Sequence, residues 1–184
     1  MTTLKSVALA TTFLLPTAAL ADWTGGYSGL SFGPNLTNEF TLDNGTDSET
    51  FEAEDSNTIG FFGGFLAQSN QIVYGGEIAF STATDVEFVI DGDSVSGDID
   101  LFDLKGRVGF DAGEFLPYAV AGISRVDDDA TGFNFGVGVD YAINPSFLVG
   151  AEYLARRTTF DDDIDGIETD FDIDTFSIRG SFKF

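Results

Sequence analysis

The chain has 184 residues, of which 31 are Asp or Glu, 8 are Lys or Arg and none is Cys or His, for a formal charge of −23. Without Cys or His there is no disulfide framework, thiolate or imidazole metal site, thiol nucleophile or histidine base, so serine–histidine and cysteine–histidine enzymes are excluded. The acidity excludes a nucleic-acid partner, because phosphate binding depends on Lys and Arg, while 43% hydrophobic residues and 20 Phe require an apolar setting that a disordered acidic chain lacks.

At the amino terminus Lys5 precedes an apolar run from Val7 to Leu15, then Pro16 and the small-residue triplet Ala19-Leu20-Ala21. This pattern predicts a secretory signal peptide over 1–21, cleaved after Ala21, and a mature domain over 22–184. The run is too short for a retained membrane helix, which needs about 20 apolar residues. No later stretch is long and apolar enough to cross as a helix either, and the remaining way to satisfy every backbone group in lipid is a closed barrel.

Residues 23–33 and 59–67 read as the first two strands, without a fixed inward phase. In the third, Ile72, Tyr74, Gly76, Ile78 and Phe80 alternate with Val73, Gly75, Glu77 and Ala79. In the fourth, Phe102, Leu104, Gly106, Val108 and Phe110 alternate with Asp103, Lys105, Arg107 and Gly109. After the turn at 111–114, Tyr118, Val120, Gly122 and Val126 form the apolar face of the fifth against Ala119, Ala121 and Arg125. Phe133, Phe135, Val137, Val139 and Tyr141 oppose Asn134, Gly136, Gly138 and Asp140. A turn at 143–146 leads to Phe147, Val149, Ala151, Tyr153 and Ala155, which oppose Glu152 and Arg156. The last strand sets Phe176, Ile178, Gly180, Phe182 and Phe184 against Thr175, Ser177, Arg179, Ser181 and Lys183.

Tight turns join strands two to three, four to five and six to seven. Longer connections cover about 34–57, 82–98 and 157–172, with the shorter 127–131 in the same class. An even number of strands of about ten residues, with short turns at one end and loops at the other, predicts an all-β fold: an eight-stranded antiparallel transmembrane β-barrel.

The charges test this phase independently. Lys105, Arg107, Arg125, Arg156, Arg179 and Lys183 fall opposite the apolar residues, with Arg157 the exception among the mature chain's bases. Glu77, Asp103, Asp140 and Glu152 share their face, so these ten residues are the expected interior charge network. A soluble sandwich or lipocalin inverts the arrangement, with apolar side chains inside.

The chain resembles the small eight-stranded outer-membrane barrels of Gram-negative bacteria, such as the OmpA membrane domain, OmpX and opacity-type porin-like proteins. The resemblance covers nearly all of 22–184. It is carried by Trp23-Thr24-Gly25-Gly26-Tyr27-Ser28-Gly29, Gly75-Gly76-Glu77, Lys105-Gly106-Arg107-Val108-Gly109-Phe110, Leu116-Pro117-Tyr118, Gly136-Val137-Gly138-Val139, Ala151-Glu152-Tyr153 and the terminal Phe184. It implies location in the cell outer membrane, with outer-membrane lipids and lipopolysaccharide as surroundings. It also implies that Phe176, Ile178, Phe182 and Phe184 are read by the outer-membrane assembly machinery. OmpA continues into a periplasmic peptidoglycan-binding domain, and that anchoring role is not carried over. Lipid A deacylases and palmitoyl transferases of this architecture use a His near the loop end, which this chain lacks, so no enzyme is expected.

Eight strands enclose an interior that side chains fill, so a wide diffusion channel is not expected. Gly75, Gly109, Gly136, Gly138 and Gly150 nevertheless leave space beside the inward charges. The expected function is a structural or surface-interaction role with acidic loops displayed outward, toward an unidentified cell-surface ligand. The alternative is a small porin or ion channel. In the last loop Asp161, Asp163 and Asp165, followed by Gly166 and by Asp172 at the twelfth position, have the spacing of a calcium loop. Glu168 at position eight and the hairpin context depart from that motif. Calcium is the only cofactor suggested.

Overall fold

The computed structural model describes residues 22–43, 48–52, 57–90, 93–126, 130–161 and 168–184. The predicted signal peptide lies outside the described residues. Among them are nine strands: β1 (Gly25–Asp43), β2 (Ser48–Glu52), β3 (Asn57–Ser69), β4 (Ile72–Ile90), β5 (Asp93–Phe110), β6 (Phe115–Val126), β7 (Ala130–Ala142), β8 (Phe147–Asp161) and β9 (Glu168–Lys183). Each of β3 to β8 pairs antiparallel with the next, β1 pairs with β3, and β1–β9 pairing closes the ring. The closed ring leaves no sheet edge among these eight strands, which is what lipid requires of a spanning sheet. Backbone bonds between Gly26 and Phe184, 3.1 and 2.9 Å, complete the seam.

All three long stretches expected as loops are strand over much of their described length, 157–172 through the ends of β8 and β9. β2 continues the β1–β3 ladder beyond Asn57 on the same side of β1 and in the same register, from Glu39↔Glu52 to Asp43↔Ser48. β4 and β5 continue as a hairpin to Ile90↔Asp93, with a register shift between Ala83 and Val86. Paired backbone persists there because the ladder hydrogen bonds extend beyond the apolar positions that mark strands in the sequence. At the other end the turns are short, and Asn70 and Gly113 adopt positive φ, 54° and 81°. Barrels of this type place their short turns in the periplasm.

The outward face is an apolar band. Ile72, Tyr74, Ile78 and Phe80 of β4, and Leu104, Val108 and Phe110 of β5, are all exposed. Phe133 to Tyr141 on β7 spans nine positions, as does Phe176 to Phe184, whose last residue follows the end of β9. Nine positions cover about 26 Å along a strand, or about 20 Å across the membrane at a tilt of about 40°. Thr82, Asp100, Arg125, Thr131, Arg157 and Asp174 stand just beyond the band at its loop end, on the outward face.

The structure fixes the first two phases: Tyr27, Gly29 and Ser31 of β1 and Phe62 and Leu66 of β3 lie on the inward face, and Leu30, Phe32, Ile59, Phe61 and Phe65 on the outward one. β6 is the reverse of the sequence expectation. Leu116, Tyr118, Val120 and Val126 are buried inside, whereas Ala119, Ala121, Ile123 and Arg125 are on the outside. Tyr118 is inward because it has a place there, lying against Gly138, its register partner on β7.

Candidate functional site

The barrel interior is stacked in layers. At the short-turn end Trp23, Tyr27, Phe62, Leu66, Val73, Leu116 and Leu148 form an apolar plug. Trp23 is 1% exposed and donates its indole N–H to Asp111 Oδ1 at 3.3 Å. Gln68 Nε2 donates to the other oxygen of Asp111 at 2.7 Å.

Above the plug, strands 4, 5, 8 and 9 bring four charges together. Lys105 Nζ lies 2.7 Å from both Glu77 Oε1 and Glu152 Oε1. Arg179 reaches the other oxygens of the same two carboxylates, each at 2.5 Å. Each base therefore bridges both acids. The Tyr27 hydroxyl donates to Glu77 Oε2 at 2.7 Å, and that of Tyr118 to Glu152 Oε2 at 3.1 Å. Arg107 pairs with Asp140, approaches Glu77 at 3.8 Å, and stacks on Tyr118 with its guanidinium carbon 3.4 Å from the ring centre.

Further toward the loop end Arg156 grips Asp103 through Nε at 3.0 Å and Nη2 at 2.7 Å. Ser124 and Asn134 also donate to Asp103, at 2.5 and 3.3 Å. Thr175 and Thr58 both donate to Asn35 Oδ1, at 2.8 and 2.7 Å. Leu101, Val126 and Ile173 close this end with a second apolar layer. Between the two ionic groups remains a void of about 30 Å³, room for about one water.

Eight of the ten expected interior residues are therefore buried together, four acids and four bases in balance. The other two are corrections. Arg125 is exposed on the outward face of β6, because that strand is inverted and its position lies at the border of the band. Lys183 is on the inward side but at the short-turn mouth, where its ammonium binds the backbone carbonyl of Asp22. Arg157 stands outside, as its sequence phase required, paired with Asp174 at 2.6 Å and Asp172 at 3.4 Å.

The glycines do not leave a channel. A Cβ at Gly138 would occupy the space of the Tyr118 ring, one at Gly64 would meet the Tyr27 hydroxyl at 2.7 Å, and those at Gly109 and Gly136 would meet Leu116 and Leu154 at 2.9 and 3.1 Å. Gly75 and Gly150 are crowded by the Phe65 carbonyl and by Asp140. Sequence reasoning saw these glycines as room and missed the tyrosines that fill it, although Tyr118 alternates in step with Leu116, Val120, Ser124 and Val126.

Of the four residues of the calcium set, Asp161 and Asp172 are described. Asp172 faces Arg157 across the β8–β9 ladder, and Asp161 faces Glu168, four positions away. That is about 13 Å of strand, too far for one coordination sphere. Asp163 and Asp165 lie outside the described residues. Phe176, Ile178, Phe182 and Phe184 all point outward on the closing strand.

An apolar jacket around a closed antiparallel ring, with its charges paired inside, defines a membrane-spanning barrel. The profile of the outer membrane protein beta-barrel domain matches residues 6–184, and the chain belongs to that family and to the outer membrane. It is similar to the 25 kDa outer-membrane immunogenic protein of Brucella abortus, 28% identical over 97% of each chain. The 31 kDa outer-membrane immunogenic protein of Brucella melitensis is 26% identical over 92% of this chain and 88% of its own. Among solved structures, Neisserial surface protein A matches with a TM-score of 0.53 at 14% identity, over 88% of this chain and 98% of that one. The N-terminal barrel domain of Pseudomonas aeruginosa OprF gives 0.51 at 14% identity, over 88% and 98%. These two share the fold.

Proposed function

We propose that this protein is a sealed outer-membrane scaffold with a structural or surface-interaction role, presenting its acidic connections outside the cell. The observation that carries the reading is the interior: two apolar layers enclose a balanced ionic core with space for about one water. A barrel filled in this way works through what its strands carry outward. The Brucella relatives are named as immunogenic outer-membrane proteins, which supports a surface-presented role for the connections here. In this reading the segment 1–21 directs export and is cleaved after Ala21, and Phe176, Ile178, Phe182 and Phe184 are the residues the assembly machinery reads. The ionisable groups of the core serve stability, and no catalytic step is assigned to them.

The test is conductance of the refolded protein in a planar lipid bilayer, together with antibody labelling of intact cells at a tag inserted between Asp43 and Ser48. A silent bilayer and labelled cells are expected. Reproducible unitary steps that vanish in Glu152→Gln would replace this reading with a small porin, and tags reached only after lysis would refute surface display.

A further inference from the structure

The short-turn mouth of the barrel is crossed by a segment that belongs to no strand. Asp22, Trp23 and Thr24 precede β1, so the ladders that hold the ring do not include them. They are held instead by groups from three other places in the chain. Trp23 donates its backbone N–H to Gln68 Oε1 at 2.9 Å and its indole N–H to Asp111 Oδ1 at 3.3 Å. The Gln68 backbone N–H in turn donates to Thr24 Oγ1 at 3.2 Å, and the Lys183 ammonium donates to the Asp22 carbonyl. The segment enters β1 through Gly25, whose φ of 138° lies in the region that favours glycine. A Cβ there would meet the Phe184 carbonyl oxygen at 2.8 Å.

Closing this segment over the mouth has two opposing consequences. It buries the Trp23 indole in the apolar layer with Leu66, Val73, Leu116 and Leu148, which favours closure. It also shuts Asp111 away from water, at 1% exposure. The other buried acids, Glu77, Asp103, Asp140 and Glu152, each meet a base. Asp111 accepts from neutral donors: the Trp23 indole, Gln68 Nε2 at 2.7 Å and the Gly113 N–H at 2.9 Å. A carboxylate kept dry without a counter-charge opposes closure.

We propose that Asp22–Gly25 is a hinged strap that opens and closes the periplasmic mouth, turning about Gly25 while the eight-stranded ring stays closed. Opening breaks the four hydrogen bonds that tether the strap and leaves the β1 ladders from Gly26 onward intact. It is therefore a local event, of much lower cost than unfolding the ring. With the strap open, water reaches Asp111, and the apolar layer beneath the ionic core becomes a pocket facing the periplasm. The ionic core and the apolar layer at the loop end stay in place, so no through path forms. The strap is closed in the structure, and the open form is a minor population in exchange with it. The proposal is independent of what the loops display.

The experiment is hydrogen exchange of the refolded protein in micelles, followed by NMR at several urea concentrations below the unfolding transition. Trp23 supplies two probes, its backbone and indole N–H, and the amides of Leu30, Ser31 and Phe32 in the β1 ladders supply the reference. After correction for intrinsic rates, both Trp23 protons are expected to exchange about a hundredfold faster than the reference, with little dependence on urea, because strap opening exposes little surface. Lys183→Ala removes a tether and Gly25→Ala strains the closed hinge. Each is expected to speed Trp23 exchange about fivefold and to leave the reference amides unchanged. Trp23 exchanging in step with the reference, at the same rate and with the same urea dependence, would overturn the proposal. So would variants that speed all probes equally, since the strap would then open only with the ring. If Gly25→Ala does not fold, wild type and Lys183→Ala decide.

Discussion

Replacing Arg179 by Met removes one of the two bases that bridge Glu77 and Glu152 while keeping most of the side-chain volume. Arg179 is 4% exposed and lies 2.5 Å from a carboxylate oxygen of each acid, with its guanidinium 3.8 Å from the centre of the Phe62 ring. Its loss leaves a core of four acids and three bases, and stranding one buried charge typically costs about 3 to 5 kcal/mol. The lower end of that range is expected. Lys105 still touches both carboxylates at 2.7 Å, and Tyr27 and Tyr118 still donate to them. Adding Glu152→Gln restores the balance, so the double variant should recover about 2 kcal/mol relative to additivity. The assay is urea unfolding in micelles followed by the emission of Trp23, the only tryptophan and one sealed in the apolar plug. A single variant within about 1 kcal/mol of wild type would refute the claim that paired charges hold this core. A double variant no better than the sum of its parts would do the same. Arg125→Gln is the internal control: being outside the barrel, it should leave the urea midpoint unchanged.

Val137→Arg puts a charge in the middle of the lipid-facing band, where Val137 is 59% exposed; it should cost about 2 to 4 kcal/mol in lipid vesicles, and a neutral result would mean that this face does not meet lipid. Gly138→Val displaces the Tyr118 ring and should lower unfolding stability by about 1 to 3 kcal/mol through overpacking. Tyr118→Ala vacates the space beside Arg107 and Glu152 and should cost about 3 to 5 kcal/mol. Of the variants here it is the one expected to give unitary conductance steps, and a silent bilayer would show that Trp23 and its neighbours seal the barrel without it.

The fold was legible because lipid imposes alternation: along β4, β5, β7, β8 and β9 most large apolar residues face out and most charges face in, with Val73, Leu148 and Leu154 among the inward exceptions and Arg157 among the outward ones. β6 failed because its outward positions include Ala119 and Ala121, which carry little hydrophobic signal, while Tyr118 and Val120 inside carry more. Including Ile123 and Ser124 in the comparison would have reversed that phase, since Ile123 faces out and Ser124 bonds Asp103. Of the candidate core, the charged members were readable from phase alone. Their pairing was not, because Lys105 and Glu152 meet across the barrel through a closure that the sequence order does not reveal. The apolar layers at the two ends were hidden for a related reason, as Leu101, Val126 and Ile173 look like lipid-facing residues until the register puts them inside. The calcium spacing assumes a compact loop, and the sequence did not show that its first and last residues, Asp161 and Asp172, lie on paired strands four register positions apart.

The ionic balance of the core has an electrical consequence. A charged plug inside a membrane pore is a voltage sensor, since moving it through the field does work in proportion to its net charge. Here Glu77, Asp103, Asp140 and Glu152 are matched by Lys105, Arg107, Arg156 and Arg179, so a concerted displacement of these eight side chains carries no net gating charge. A Donnan potential across the outer membrane then has little lever on that cluster, and its response to voltage should be confined to Asp111 in the plug below it.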